Sequence, residues 1–129
     1  MTGVQTCALR SMRTLGINEV LFNAGGIVPA KSFTAPHMEV LTSLRANDML
    51  SEGVSTFYAE ILRMKRVNKE IENGRCLVLI DEIFKGTNAY ERITASLKVI
   101  EKLNSKGTIF IISTHDFELC EAKDILNYH

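Results

Sequence analysis

The chain lacks an excess of charge of either sign. Its 129 residues carry 15 Lys plus Arg against 15 Asp plus Glu, a formal net charge of zero. A dedicated phosphate-backbone surface usually leaves a basic surplus, so this balance argues against a nucleic-acid interface built from this chain alone. Cysteine is scarce and scattered: Cys7, Cys76 and Cys120 form no C-x-x-C spacing. That excludes a zinc ribbon or a disulfide framework and fits a reducing, cytoplasmic setting. No apolar run approaches the length of a membrane span. The N-terminus has neither the charged nor the apolar region of a signal peptide. Internal repeats and low-complexity segments are missing. So is the phosphate-cradling G-x-x-x-x-G-K-[ST] loop: Lys31, Lys85 and Lys106 lack its glycine frame.

What is present is a well-supplied core, with 46% apolar residues, enough for one domain. The most informative stretch is C-L-V-L-I-D-E-I-F-K-G, Cys76 to Gly86. Cys76 to Ile80 is a short, continuous apolar run after the breaker pair Asn73-Gly74, and reads as a strand buried on both faces of a parallel sheet. It ends abruptly in Asp81 and Glu82. In open α/β sheets, ligands bind just past the carboxyl ends of the strands. A carboxylate pair there can meet a hydrated cation and a water molecule. Equally, it can be two solvated loop acids.

Around this strand the pattern alternates. Ser11 to Ala24 has helical spacing and is stopped by Gly25-Gly26. Pro29 to Ser32 is a turn. Phe33 to Leu44 favours strand but is interrupted by Pro36, which predicts an edge strand or a short strand after the proline. Asn47 to Ser51 is polar loop. Gly53-Val54-Ser55-Thr56 precedes a helical pattern carried by Phe57, Ile61, Met64, Val67 and Ile71, which should end at Asn73-Gly74. A loop from Lys85 to Ala89 leads into a helix over Tyr90 to Asn104. Lys106-Gly107 turns the chain into a second apolar strand, Thr108 to Ile112, followed by Ser113, Thr114, His115 and Asp116. A short helix should start at Phe117. Met1 to Arg10 fits poorly with the rest. It reads as translated adapter sequence, a non-native scar set aside from fold reasoning, or else as an ordinary tail or short strand; the domain proper is expected over residues 11–129.

Strand, helix, strand over Cys76 to Ser113 is the length of one parallel βαβ unit. That pattern places Asp81, Glu82 and His115 at one edge of one sheet. Magnesium often binds through one carboxylate plus substrate phosphates, a role open to Asp81. Glu82 can orient or deprotonate a water attacking a terminal phosphate. His115 can hydrogen-bond a departing phosphate, or simply its own backbone. Gly53 to Thr56 opens a helix, where free amides receive phosphate oxygens and the Ser55 hydroxyl can add a donor; a plain N-cap is the alternative.

Taken together, R-T-L-G-I-N (Arg13 to Asn18), S-T-F-Y-A-E (Ser55 to Glu60), D-E-I-F-K-G-T-N (Asp81 to Asn88) and S-T-H-D-F-E-L (Ser113 to Leu119) resemble the C-terminal ATPase domain of the MutS family of DNA mismatch repair proteins, an ABC-type branch of the P-loop NTPases. The resemblance implies an α/β layered fold, a partial P-loop NTPase with a mostly parallel sheet flanked by helices. It implies ATP and Mg²⁺ as cofactors, with Asp81 supporting the metal and Glu82 as catalytic carboxylate on a Walker B strand. His115 matches the switch histidine. Gly53, Ser55 and Thr56 match the signature loop, which completes the nucleotide site of the opposite subunit. Gly86, Thr87 and Asn88 match the D-loop at the interface of a homodimer. Asn47-Asp48 matches an acidic turn of the family, although Met49 stands where a second acid is common. The segment Met12 to Asn18 resembles the helix following the Walker A loop, so the chain is expected to be an ATPase domain cut within or just after that loop. DNA would be met through the full-length parent, and no membrane is implied. Two alternatives stay open: a catalytically inactive dimerising half-site, and the ATPase domain of another soluble ABC protein of chromosome maintenance.

Overall fold

The computed structural model describes residues 3–44, 56–84 and 86–121. Element order is α1 (Gly3–Asn23), β1 (Glu39–Ser43), α2 (Thr56–Glu70), β2 (Cys76–Asp81), α3 (Ala89–Ser105), β3 (Ile109–Ser113) and α4 (Phe117–Glu121). The three strands form one parallel sheet in the order β1-β2-β3. In register, Ser43 lies opposite Ile80, and Asp81 opposite Ser113. The α/β layering, the parallel pairing and the short strand after Pro36 are as expected from sequence.

β2 is central and its alternation divides the core. Val78 and Ile80 point to one face, where they join Met64, Val67 and Ile71 of α2 and Leu103 of α3. Leu77 and Leu79 point to the other, with Met38, Val40 and Leu15 of α1. Val78, Leu79 and Ile80 are each 0% exposed, which is why the run is apolar without interruption. Each such side chain contributes roughly 1.5–3 kcal/mol of burial.

Helix ends obey local chemistry. α1 closes in a Schellman motif: Gly26 N–H donates to Leu21 C=O at 2.8 Å and Gly25 N–H to Phe22 C=O at 3.0 Å. Gly25 takes the left-handed φ of 69° that the motif requires. Asn23 then donates to Met38 C=O at 2.6 Å, tying the helix end to the segment entering β1. α3 ends the same way, with Gly107 at φ 62° and Thr108 N–H bonded to Leu103 C=O at 3.2 Å.

One expectation needs correction. The first helix begins at Gly3, not Ser11, so the segment set aside as foreign continues the helical backbone. β3, all apolar from Ile109 to Ile112, differs from β2 in not being buried on both faces: Ile109 is 52% and Ile111 41% exposed. α1 approaches all three strands, yet Ile109 and Ile111, in register with Leu77 and Leu79, stay about half-exposed.

Candidate functional site

β2 and β3 run parallel and end side by side, so their following residues share one rim of the sheet. There Glu82 N–H donates to Ser113 C=O at 2.9 Å, extending the ladder one step past the strand. Ser113 Oγ donates to Asp81 Oδ1, holding that carboxylate at the strand end. His115 Nε2 lies 2.8 Å from Glu82 Oε1. The Glu82 side chain is only 10% exposed, the His115 ring 57%. An imidazole therefore stands at the open side of a largely buried carboxylate. The structure places His115 beside Glu82, at the rim shared with Asp81.

Glu82 and Phe84 adopt left-handed backbone, at φ 58° and 55°. For residues other than glycine this costs on the order of 1–3 kcal/mol each, and such strain concentrates at functional sites. Nothing in the text D-E-I-F signals it, since no glycine or asparagine marks the turn.

The wall beyond the pair is built by a fork. Arg92 of α3 donates from Nε to Asp116 Oδ2 at 2.8 Å and from its terminal nitrogen to Oδ1 at 2.7 Å. This holds the Asp116 carboxyl below its ordinary value and raises the guanidinium above its own. Asp116 N–H also donates to Thr114 Oγ1 at 3.0 Å, fixing the turn that carries His115. Glu82, Ile83, Arg92, Thr114, His115 and Asp116 line a cleft of about 130 Å³. Sequence reasoning missed Arg92 and its fork. The pairing spans 24 residues, and no local pattern encodes it.

Other expected site residues lie nearby or outside the described residues. Asn88 is the N-cap of α3, its Oδ1 accepting from Glu91 N–H at 2.9 Å, and Thr87 Oγ1 bonds Glu91 Oε2 at 2.5 Å. Gly86 packs directly on α2: a Cβ placed there would stand 3.0 Å from Phe57 Cβ and 3.2 Å from Phe57 N. The start of α2 therefore reaches the same rim. Gly53, Ser55, Asn47, Asp48 and Met49 lie outside the described residues; Thr56 begins α2.

The donor set limits what can bind. Among the described residues no group of three His, Cys, Asp or Glu side chains could hold a metal ion. A single carboxylate with a neighbouring hydroxyl, as at Asp81 and Ser113, suits an ion that keeps most of its water and takes its remaining ligands from phosphate, as magnesium does. The nucleotide itself fits less well. Two acids line the cleft beside His115, Arg92 is engaged by Asp116, and no phosphate-cradling loop occurs in the 129 residues.

The fold and rim thus define a parallel α/β unit with an acid–imidazole pair at the carboxyl ends of adjacent strands. Comparison with known proteins narrows the class. The model of MutS domain V matches residues 1–128, and the chain belongs to that family. It is 31% identical over 124 residues to the DNA mismatch repair protein MutS of Aquifex pyrophilus, covering 92% of this chain and 14% of that protein. It is 36% identical over 116 residues to MutS of Leptospira interrogans, covering 85% and 13%. The mitochondrial DNA mismatch repair protein mutS homolog of Sarcophyton glaucum is 31% identical over 121 residues, covering 92% and 12%. The chain spans about one seventh of the length of such relatives, 12–14%. No helix among the described residues is long and apolar enough to cross a membrane.

Proposed function

We propose that this chain forms the hydrolysis side of an ATP site in a MutS-like DNA mismatch repair or recombination protein. In this reading β2 is the Walker B strand of an ABC-type P-loop ATPase, and the phosphate cradle comes from sequence outside these 129 residues. The observation that supports it best is the 2.8 Å approach of His115 Nε2 to Glu82 Oε1 at the end of adjacent parallel strands.

The roles follow from position. Glu82 accepts the proton of an attacking water, the general-base task that suits a carboxylate held within hydrogen-bond reach. His115 orients Glu82 and offers its exposed ring to a phosphate oxygen at the mouth of the cleft. Asp81, held by Ser113, holds Mg²⁺ through water; the ion supplies charge neutralisation for the phosphates when bound. Thr56, the first residue of α2, and Gly53 and Ser55, which precede it in sequence, serve the site of a second copy. The loop Gly86 to Asn88 lies at the interface of the resulting homodimer. DNA is engaged by other parts of the parent, in keeping with the zero net charge here.

A second reading, an inactive dimerising half-site, is favoured by one observation: the missing cradle motif. Both are tested by magnesium-dependent ATP turnover. The 129-residue chain alone is expected to show none, and the parent protein to show turnover that Glu82→Gln abolishes. Turnover by the isolated chain would contradict the assignment of the cradle to other sequence. A parent protein whose turnover survives Glu82→Gln would contradict the role of Glu82.

A further inference from the structure

A third carboxylate, Glu60 of α2, belongs to this neighbourhood and is unused by the chemistry above. The Gly86 backbone N–H donates to it, Arg63 is its charged neighbour on the same helix, and Glu82 is close enough to act on it electrostatically. Its Oε2 is buried without a hydrogen-bond partner. Burial is the main effect and raises this carboxyl above its ordinary value; Arg63 and the Gly86 N–H pull it back, and Glu82 raises it further. Enclosing one unpartnered oxygen of a half-buried acid is costly.

Three contacts join the same two segments. The rings of Phe57 and Phe84 meet edge to face with centroids 6.0 Å apart. Gly86 sits against the Phe57 backbone so closely that a Cβ would come within 3.2 Å of its nitrogen. The Glu60 carboxylate receives the Gly86 N–H one helical turn further along α2. The first turns of α2 and the loop from Glu82 to Gly86 are therefore clamped at both sides of a single contact. That loop carries two left-handed residues, Glu82 and Phe84. Such backbone persists only where its surroundings over-determine it.

We propose that Glu60 is a positioning residue that locks the loop of Glu82 to the start of α2, so that a displacement of that helix end is passed directly to the hydrolytic carboxylate. The functional half of this statement rests on the role given to Glu82 above. If the start of α2 serves the site of a second copy, Glu60 links occupancy of that copy's site to the posture of Glu82 in this one. The device is a rigid link between two sites, made from one hydrogen bond and one ring contact.

The test uses two measurements. In the 129-residue chain, amide hydrogen exchange at Gly86 is followed in wild type, Glu60→Ala and Glu60→Gln. Gly86 is an exposed residue, so protection of its amide reports the bond to Glu60. Glu60→Ala is expected to speed exchange at least about tenfold, the size expected for loss of a hydrogen bond to a charged acceptor. Glu60→Gln keeps an acceptor oxygen and is expected to restore most of the protection. Equal Gly86 exchange in wild type and Glu60→Ala would overturn the clamp, and if the Ala variant does not fold, the same comparison with Glu60→Leu, which keeps the bulk and lacks the acceptor, decides it. In the parent protein, Glu60→Ala is expected to lower kcat for ATP hydrolysis about tenfold or more with KM little changed, and Glu60→Gln to recover it. Loss through KM alone would overturn the positioning role. Failure of the underlying assignment is separately visible as hydrolysis indifferent to Glu82→Gln, and the Gly86 measurement still decides the clamp.

Discussion

Glu82 and His115 are 33 positions apart in sequence, yet their side chains meet at 2.8 Å. The crossover through α3 brings them together, because parallel neighbours deliver their carboxyl ends to the same rim. The register Asp81 to Ser113 sets the fit. One residue of slip would turn the acid end of β2 to the wrong neighbour.

The fork between Arg92 and Asp116 gives the rim a pH dependence with a definite sign. Asp116 is held below its ordinary 3.8 in the folded state, chiefly by its bonds to Arg92. Its contribution to stability is therefore fully present above that value and is lost as pH falls through the lower, folded one. Urea unfolding of wild type and Asp116→Asn is expected to give stability curves that differ most near neutral pH and converge in acid. Parallel curves down to the most acidic point would count against the fork.

Glu60 should act in the opposite direction. Its carboxyl is raised above the ordinary 4.5, first by burial, with Glu82 adding and Arg63 and the Gly86 N–H opposing. A raised carboxyl favours folding below its ordinary value and loses that contribution as pH rises through the folded one. Relative to wild type, Glu60→Gln is expected to gain stability as pH rises above 4.5. The measurement is the difference between the two urea midpoints across that window, and a difference that shrinks with rising pH would contradict it.

A second buried acid sits away from the rim. Glu19 of α1 is 1% exposed and its Oε1 has no hydrogen-bond partner. Leaving such an oxygen buried costs about 1–3 kcal/mol. Replacement by an apolar residue of similar size should recover part of that. Glu19→Met is expected to raise stability by about 1 kcal/mol or more in urea unfolding. A clear loss would mean that the carboxylate is better satisfied than its surroundings indicate.

The central strand sets the scale for packing. Leu79 is fully buried, and α1 approaches it so closely that a Cβ on Gly16 would stand 2.9 Å from its Cδ1. Leu79→Ala is expected to cost about 2–5 kcal/mol, the range for emptying a core site that only partly collapses. Differential scanning calorimetry of the variant measures it, and a loss below about 1 kcal/mol would show that α1 can settle into the gap.

Much of this was legible in the residues themselves. Cys76 to Ile80 announced a two-face buried strand because every position of a central parallel strand is covered. Gly25-Gly26 and Lys106-Gly107 marked their boundaries because Gly25 and Gly107 take the left-handed turn that glycine accepts cheaply, and Asn73-Gly74 marked the loop between α2 and β2. Asp81, Glu82 and His115 could be placed on one rim because the βαβ pattern dictates it. What could not be read was of another kind. The left-handed backbone at Glu82 and Phe84 is imposed by contacts, not by composition. The Arg92–Asp116 fork and the Glu60–Gly86 bond join distant segments through side chains that look like ordinary surface charge in a helix. The exposure of Ile109 and Ile111 depends on what packs against β3, which the residues of β3 do not encode. Gly53 and Ser55 lie outside the described residues, and their assignment rests on the motif alone.

The central claim is that Glu82 and His115 work as one unit in ATP hydrolysis. A double-mutant cycle on the turnover rate of the parent protein tests it most directly, using Glu82→Gln, His115→Ala and the pair together. Loss of a general base typically costs about 10²–10⁴-fold in rate. Residues that act as a unit are strongly non-additive, so the double variant is expected to turn over no more slowly than Glu82→Gln alone, with nucleotide affinity retained in all three. Independent losses that multiply in the double variant, or full turnover without Glu82, would contradict the account.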